Sequence, residues 1–213
     1  MNKTTVILIS LLFSALCTNA QKLTMQRQYV SIVVDGSYSM NAELGTHTKI
    51  ACVAKSLETF FGKLENYGEI QSSLSVFGTK HNSSSPEKCS DYSTLVPFEM
   101  GNTPKLKAMA KRIEPLGGSP VTDALQKTAE AMPNDGTKKY IIIIVDGGDG
   151  CQKPLCETYK ALDPNTNGIF IIGIGISTED QALFSCAPTF ANATNEKELN
   201  DSLDRIFNLI KPY

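Results

Sequence analysis

Residues 29 to 40 of this 213-residue chain read YVSIVVDGSYSM, so that Asp35, Ser37 and Ser39 fall at alternate positions after a hydrophobic run. One carboxylate and two hydroxyls on a short loop opened by Gly36 make a cluster of hard oxygen donors. Such a cluster suits Mg²⁺, Mn²⁺ or Ca²⁺ and lacks the His and Cys ligands that zinc prefers. The same five residues are also ordinary turn chemistry, because Asp, Gly and Ser populate solvated strand-to-helix turns. Two further stretches decide between these readings. LGGSPVTDAL, 116 to 125, offers the hydroxyls of Ser119 and Thr122 beside a Gly-rich turn, and YIIIIV, 140 to 145, runs into a second acid, Asp146.

The elements around these residues are legible from hydrophobic periodicity. Tyr29 to Asp35 is nearly continuous in β-branched residues, as a parallel strand covered on both faces requires. Ile50, Val53, Leu57, Phe60, Phe61 and Leu64 recur at helical spacing over about 48 to 64, with Cys52, Ser56, Thr59 and Lys63 on the other side. Residues 70 to 77, IQSSLSVF, alternate as a strand with one wetter face. The polar loop 78 to 91 contains no helix, so the short strand 93 to 98 is expected to return as an antiparallel edge neighbour. Thr103-Pro104 starts a helix that Pro115 ends. Helices at 120 to 132 and 155 to 162, strands at 140 to 145 and 169 to 176, a short helix after 177 or 178, an edge strand at 189 to 193 and a closing helix started by the Asn195 to Glu198 capping box complete the chain. Strand and helix alternate throughout, which predicts an α/β fold: a doubly wound, mostly parallel six-stranded sheet with helices on both faces. In strand order 3-2-1-4-5-6 the first and fourth strands are neighbours at the switch point where ligands bind. Asp35 and Asp146 then stand side by side. Like charges repel there, and a divalent cation resolves the conflict.

At this point the motifs carry a resemblance. D-G-S-Y-S, G-G-S-P at 117 to 120 and the I-I-V-D-G strand end at 143 to 147, in this order, resemble the von Willebrand factor type A (vWA) domain over nearly all of 27 to 213. The resemblance implies a metal-ion-dependent adhesion site built from Asp35, Ser37, Ser39, Ser119 and Asp146, with Thr122 as reserve ligand, and a Rossmann-like sheet. Ser119 stands where the family pattern commonly has Thr, which keeps the oxygen and loses a methyl that restrains the rotamer. The chain is further similar to exported, mostly bacterial type A proteins in Cys89-Ser90-Asp91, in Cys151 with Cys156, and in Cys186, which implies structural disulfides.

Export is also predicted from the residues themselves. MNKTTVILISLLFSALCTNA, 1 to 20, has Lys3, the apolar run 6 to 16 and small residues at 18 and 20, the pattern of a signal peptide cleaved after Ala20. The run is too short for a transmembrane anchor, and Leu16 is too bulky to precede a lipoprotein cysteine at Cys17. Residues 21 to 28 read as a polar lead-in, and 29 to 213 as the domain. Five cysteines follow the signal segment, an odd number in a compartment that permits bridges. Two bridges and one free thiol are expected, with Cys52 as the free one and a local Cys151 to Cys156 pairing among the options. A zinc cluster is disfavoured because tight C-x-x-C pairs are missing. Asn82, Asn192 and Asn200 begin glycosylation triplets, which matter only in a eukaryotic secretory route.

With 20 Lys+Arg against 22 Asp+Glu and no basic run among aromatics, a nucleic-acid or anionic-membrane surface is not expected. The leading expectation is a secreted, non-enzymatic module, periplasmic or extracellular, that binds a protein ligand whose carboxylate completes the coordination of Mg²⁺, with Mn²⁺ or Ca²⁺ as alternatives. A Mg²⁺-dependent hydrolase or phosphatase is the first alternative, opposed by Ser37 standing where a second carboxylate would act. A serine hydrolase lacks the G-x-S-x-G elbow, and His47 and His81 lie in polar turn-like segments. The third reading is a structural secreted domain with a vestigial site.

Overall fold

The computed structural model describes residues 27–212; the predicted signal segment and most of the lead-in lie outside the described residues. The chain runs through β1 (Gln28–Asp35), a small hairpin of β2 (Glu43–Leu44) and β3 (His47–Thr48), and α1 (Lys49–Leu64). It continues through β4 (Ile70–Phe77), β5 (Tyr92–Glu99), α2 (Thr103–Ala110), α3 (Val121–Ala131) and β6 (Lys138–Val145). It ends with α4 (Leu155–Leu162), β7 (Gly168–Ile174), β8 (Ala191–Ala193) and α5 (Glu196–Ile210). The six-stranded sheet has the order β5-β4-β1-β6-β7-β8. With the hairpin strands set aside, this is the predicted 3-2-1-4-5-6 arrangement. Every pairing is parallel except that of β4 with β5, which is antiparallel and irregular in register.

Alternation along the strands sorts the core into two layers. From β1, Val30, Ile32 and Val34 pack with Val53, Leu57 and Phe61 of α1 and with Leu203 and Ile206 of α5. Tyr29 and Val33 pack on the opposite face with Val121 and Leu125 of α3 and Tyr159 of α4. In β6 the residues Ile142 and Ile144 belong to the α1 and α5 layer, and Ile141, Ile143 and Val145 to the α3 and α4 layer. All eight residues of β1 are buried. Both faces of the central strands are therefore covered, which is why their sequences are nearly continuous in apolar residues.

The starts of α1 and α5 carry side-chain caps, whereas α2 ends at Ala110, short of the expected stop at Pro115. Thr48 caps α1 by accepting from Ala51 N. At α5, Asn195 accepts from Glu198 N while the Glu198 carboxylate takes Thr194 N and its hydroxyl, a reciprocal cap. The wetter face of β4 departs from expectation in being buried. Ser73 donates to Ser31, Ser75 bonds Thr94, and the Tyr92 hydroxyl joins Ser75 to Thr128. These buried hydroxyls are satisfied by one another.

The cysteines correct one expected option. Cys151 and Cys156 do not pair with each other; the bridges are Cys89–Cys151 and Cys156–Cys186. The polar loop after β4 and the loop after β6 converge, which brings Cys89 to Cys151. Among the described residues Cys52 is the free cysteine, as expected. It is buried against the Leu44 carbonyl and does not lie on a solvent face. Ser56 beside it is buried as well, so the dry face of α1 is wider than the periodicity of large apolar residues indicated.

Candidate functional site

The loops after β1, β4 and β6 meet the Gly-rich turn before α3, and the four backbones are stitched together. Gly36 N donates to Phe77 O at 2.8 Å, Leu116 N to Gly36 O at 2.9 Å, Gly117 N to Gly78 O at 2.8 Å and Tyr38 N to Gly117 O at 3.0 Å. This closeness requires glycine. A Cβ on Gly117 would lie 2.0 Å from His81 O, and one on Gly78, whose φ is +73°, would lie 2.5 Å from Gly118 O. Gly150 N donates to Ser119 O at 2.8 Å, tying the fourth-strand loop to the Gly-rich turn, and the Cys89–Cys151 bridge closes the same edge covalently.

Side-chain parity then brings the donors together. Asp35 continues the odd-numbered face of β1, the α3 side, and so meets Ser119, which stands just before α3. The Ser119 hydroxyl lies 3.3 Å from Asp35 Oδ2. Ser37 N donates to Asp35 Oδ1 at 2.7 Å, and Asp146 N approaches Oδ2 at 3.4 Å. The Ser37 and Ser39 hydroxyls are 3.0 Å apart, and Ser39 donates to Asp146 Oδ1 at 2.8 Å. Asp35, Ser37, Ser39, Ser119 and Asp146 thus form one connected cluster of oxygens. Thr122 is not part of it: its hydroxyl lies 3.4 Å from Lys153 O and its N–H donates to Asp149. Asp149 also accepts from the N–H groups of Cys151 and Lys153, which folds its loop back upon itself.

The electrostatics are those of a carboxylate short of compensation. Asp35 is fully buried. Burial, and after it the negative charge of Asp146, push Asp35 up to about 7, against the opposing hydrogen bonds from Ser37 and the Asp146 backbone. Asp146 has a partner that sequence reasoning missed. Lys49 Nζ lies 3.0 Å from Asp146 Oδ2, with the two side chains 13% and 3% exposed. Two signals could have found it: Asp146 carries the parity of Ile142 and Ile144, which face α1, and Lys49 is the first residue of that helix.

The donor set fits a hard divalent cation. It consists of oxygens only, two of them acids that the fold forces together. Among the described residues no group of three or more His, Cys, Asp or Glu side chains converges in a metal-binding arrangement, so the hydroxyls are indispensable to any site here. Four of the cysteines are consumed in bridges, which leaves no thiolate cluster for zinc among the described residues.

Comparison with known proteins agrees with the fold. Residues 30–148 match the family model of the von Willebrand factor type A domain. Comparison with curated protein sequences finds no significant match. Among solved structures, the PilB minor pilin from Streptococcus sanguinis superposes with a TM-score of 0.69 at 17% identity, over 87% of this chain and 61% of that one. The pilus adhesin SpaC from Lactobacillus rhamnosus GG gives 0.70 at 14% identity, over 87% and 30%. The vWF domain of the type V pili tip protein Mfa5 from Porphyromonas gingivalis gives 0.63 at 14% identity, over 87% and 95%. This chain therefore spans less than two thirds of the first two proteins and nearly all of the third domain. At these identities the likeness is one of fold.

Proposed function

Because the chain belongs to the von Willebrand factor type A domain family, we propose that it is an exported, non-enzymatic binding module in which a divalent cation, Mg²⁺ before Mn²⁺ or Ca²⁺, presents a coordination position to a carboxylate on a protein partner. The observation that carries this reading is the connected cluster of Asp35, Ser37, Ser39, Ser119 and Asp146 at the switch point of the sheet. Asp35 and the three hydroxyls would hold the ion, with Asp146 beside them. When bound, the ion supplies a Lewis-acidic position that an incoming carboxylate can fill. The protein's own part is to fix the donors. Ser37 N orients Asp35, Ser39 bridges the two acid loops, and the interlocked glycine turns leave the cluster little room to relax. Two fold neighbours are described as a pilus adhesin and a pilus tip protein, which supports a role in adhesion. The two disulfides suit an oxidising compartment. Among the described residues no helix is long and apolar enough to cross a membrane.

A second reading, a structural domain that uses no ion, is favoured by the Lys49 ion pair alone. Calorimetric titration with Mg²⁺ and Mn²⁺ separates the two. The binding-module reading expects saturable binding at millimolar concentration or tighter, and loss of it in Asp35→Ala. Absence of binding by the wild type overturns it in favour of the structural domain.

A further inference from the structure

Lys49 sits where two local preferences oppose it. It is the first residue of α1, whose first turn contains no acidic residue, and a cation there is disfavoured by the partial positive charge of a helix amino terminus. Its side chain is also largely buried, although lysine is among the residues least often removed from water. Its position is nevertheless fixed. The stem lies against Gly175, its Cε 3.5 Å from where a Cβ on that glycine would stand. Its Nζ donates to Asp146 Oδ2 at 3.0 Å, while Oδ1 of the same carboxylate takes the Ser39 hydroxyl. A residue that breaks local rules and is held in place belongs to the machinery of a site.

We propose that Lys49 is a built-in counter-ion that competes with the divalent cation for the charge of the two-acid cluster. This rests on the metal reading above. Without an ion, its ammonium offsets Asp146 and lets a second acid, Asp35, remain beside it, so the loops stay assembled. With an ion, the same charge leaves the cluster one net negative charge to offer in place of two, and repels the incoming cation through the low-dielectric sheet edge. Lys49 therefore weakens occupancy, makes it reversible, and acts as a specificity-determining residue for ion affinity. The alternative is an ion pair that serves packing alone, with no bearing on the ion.

The test is Mg²⁺ titration by calorimetry at pH 7.5 and low salt on wild type, Lys49→Met, Lys49→Gln and Lys49→Arg, with thermal melts of each in EDTA and in saturating Mg²⁺. Met keeps the apolar stem, Gln keeps a donor to Asp146, and Arg keeps the charge. The proposal expects Met and Gln to bind Mg²⁺ at least tenfold more tightly than wild type and Arg to stay within about threefold, as a loss of charge repulsion requires. It also expects the neutral variants to melt lower in EDTA and to gain more from Mg²⁺. Binding by the neutral variants alone, with none by wild type, overturns the metal reading for the natural chain, and this proposal with it. Wild type and neutral variants binding equally well overturns this proposal and leaves the metal reading standing. Absence of binding in all four overturns the metal reading, and this proposal with it. If Lys49→Met fails to fold, Lys49→Gln carries the comparison.

Discussion

Replacing Asp35 by Asn tests how much strain the metal-free acid pair stores. In wild type the Asp35 carboxyl is raised from 3.8 to about 7, first by burial and then by Asp146. Because its folded value is the higher one, the folded protein binds more protons than the unfolded chain between these two values. The contribution is thus fully present in acid and is lost as pH rises, until the folded group too is ionised. A rise of roughly three pH units at about 1.4 kcal/mol each gives about 4 kcal/mol of stability lost between pH 4 and pH 8 through this one group. An Asn side chain keeps the acceptor for Ser37 N and can donate to the Ser119 hydroxyl, so the fold should tolerate it. Chemical denaturation of EDTA-treated wild type and Asp35→Asn across that pH range is the assay. The variant should gain on wild type as pH rises, by about 4 kcal/mol at the alkaline end on the same reckoning. Millimolar Mg²⁺ should flatten the difference, because a cation beside the carboxylate favours the ionised form. A gap between the two proteins that does not change with pH would refute the burial and repulsion argument.

Other consequences are simpler to measure. Breaking Cys89–Cys151, which closes a loop with a sequence separation of 62, by the double change Cys89→Ser and Cys151→Ser should cost about 4 kcal/mol from loop entropy and lower Mg²⁺ affinity, since the bridge pins the edge that carries the site; an unchanged melt would count against it. Thiol titration of the unfolded, unreduced chain beginning at Gln21 should find Cys52 alone, and five reactive thiols would contradict both bridges. Gly117→Ala places a Cβ 2.0 Å from His81 O and should destabilise the protein by about 1 to 3 kcal/mol through forced backbone movement. Gly147→Ala, whose Cβ would meet nothing within 4 Å, is the control that should leave stability unchanged.

Sequence reading went furthest where physics is periodic. The β-branched runs of β1 and β6, the amphipathic α1 and α5 and the lack of a crossover helix between β4 and β5 pointed to the sheet order, and with it to the meeting of Asp35 and Asp146; the loop expected to hold no helix in fact carries a short 3-10 helix at Pro86–Ser90, too short to reverse the chain into a parallel strand. Strand boundaries moved by a residue or two, as at Lys138 and Ile174, where hydrogen bonding carries a strand beyond or short of its apolar run, and α2 ends at Ala110, well before the Pro115 expected to stop it. What escaped depended on contacts between distant segments. The β2–β3 hairpin is two residues per strand, too short to leave a pattern. The pairing of Cys89 with Cys151 follows from loops that converge only once the sheet exists. Ser119 and Thr122 were both plausible donors until the turn set their directions, and Thr122 turned toward Lys153. Lys49 was missed because a charged residue opening a helix reads as solvated surface, although its position at a helix amino terminus was itself a warning.

Whether Asp35, Ser37, Ser39 and Ser119 hold one cation beside Asp146 is tested most directly by an anomalous difference map from a crystal soaked in Mn²⁺. The account predicts a single strong peak within coordination distance of Asp35 or its bound water, Ser37, Ser39 and Ser119, beside Asp146. A map with no peak there at millimolar Mn²⁺, or one whose peak lies at a different set of residues, would contradict it.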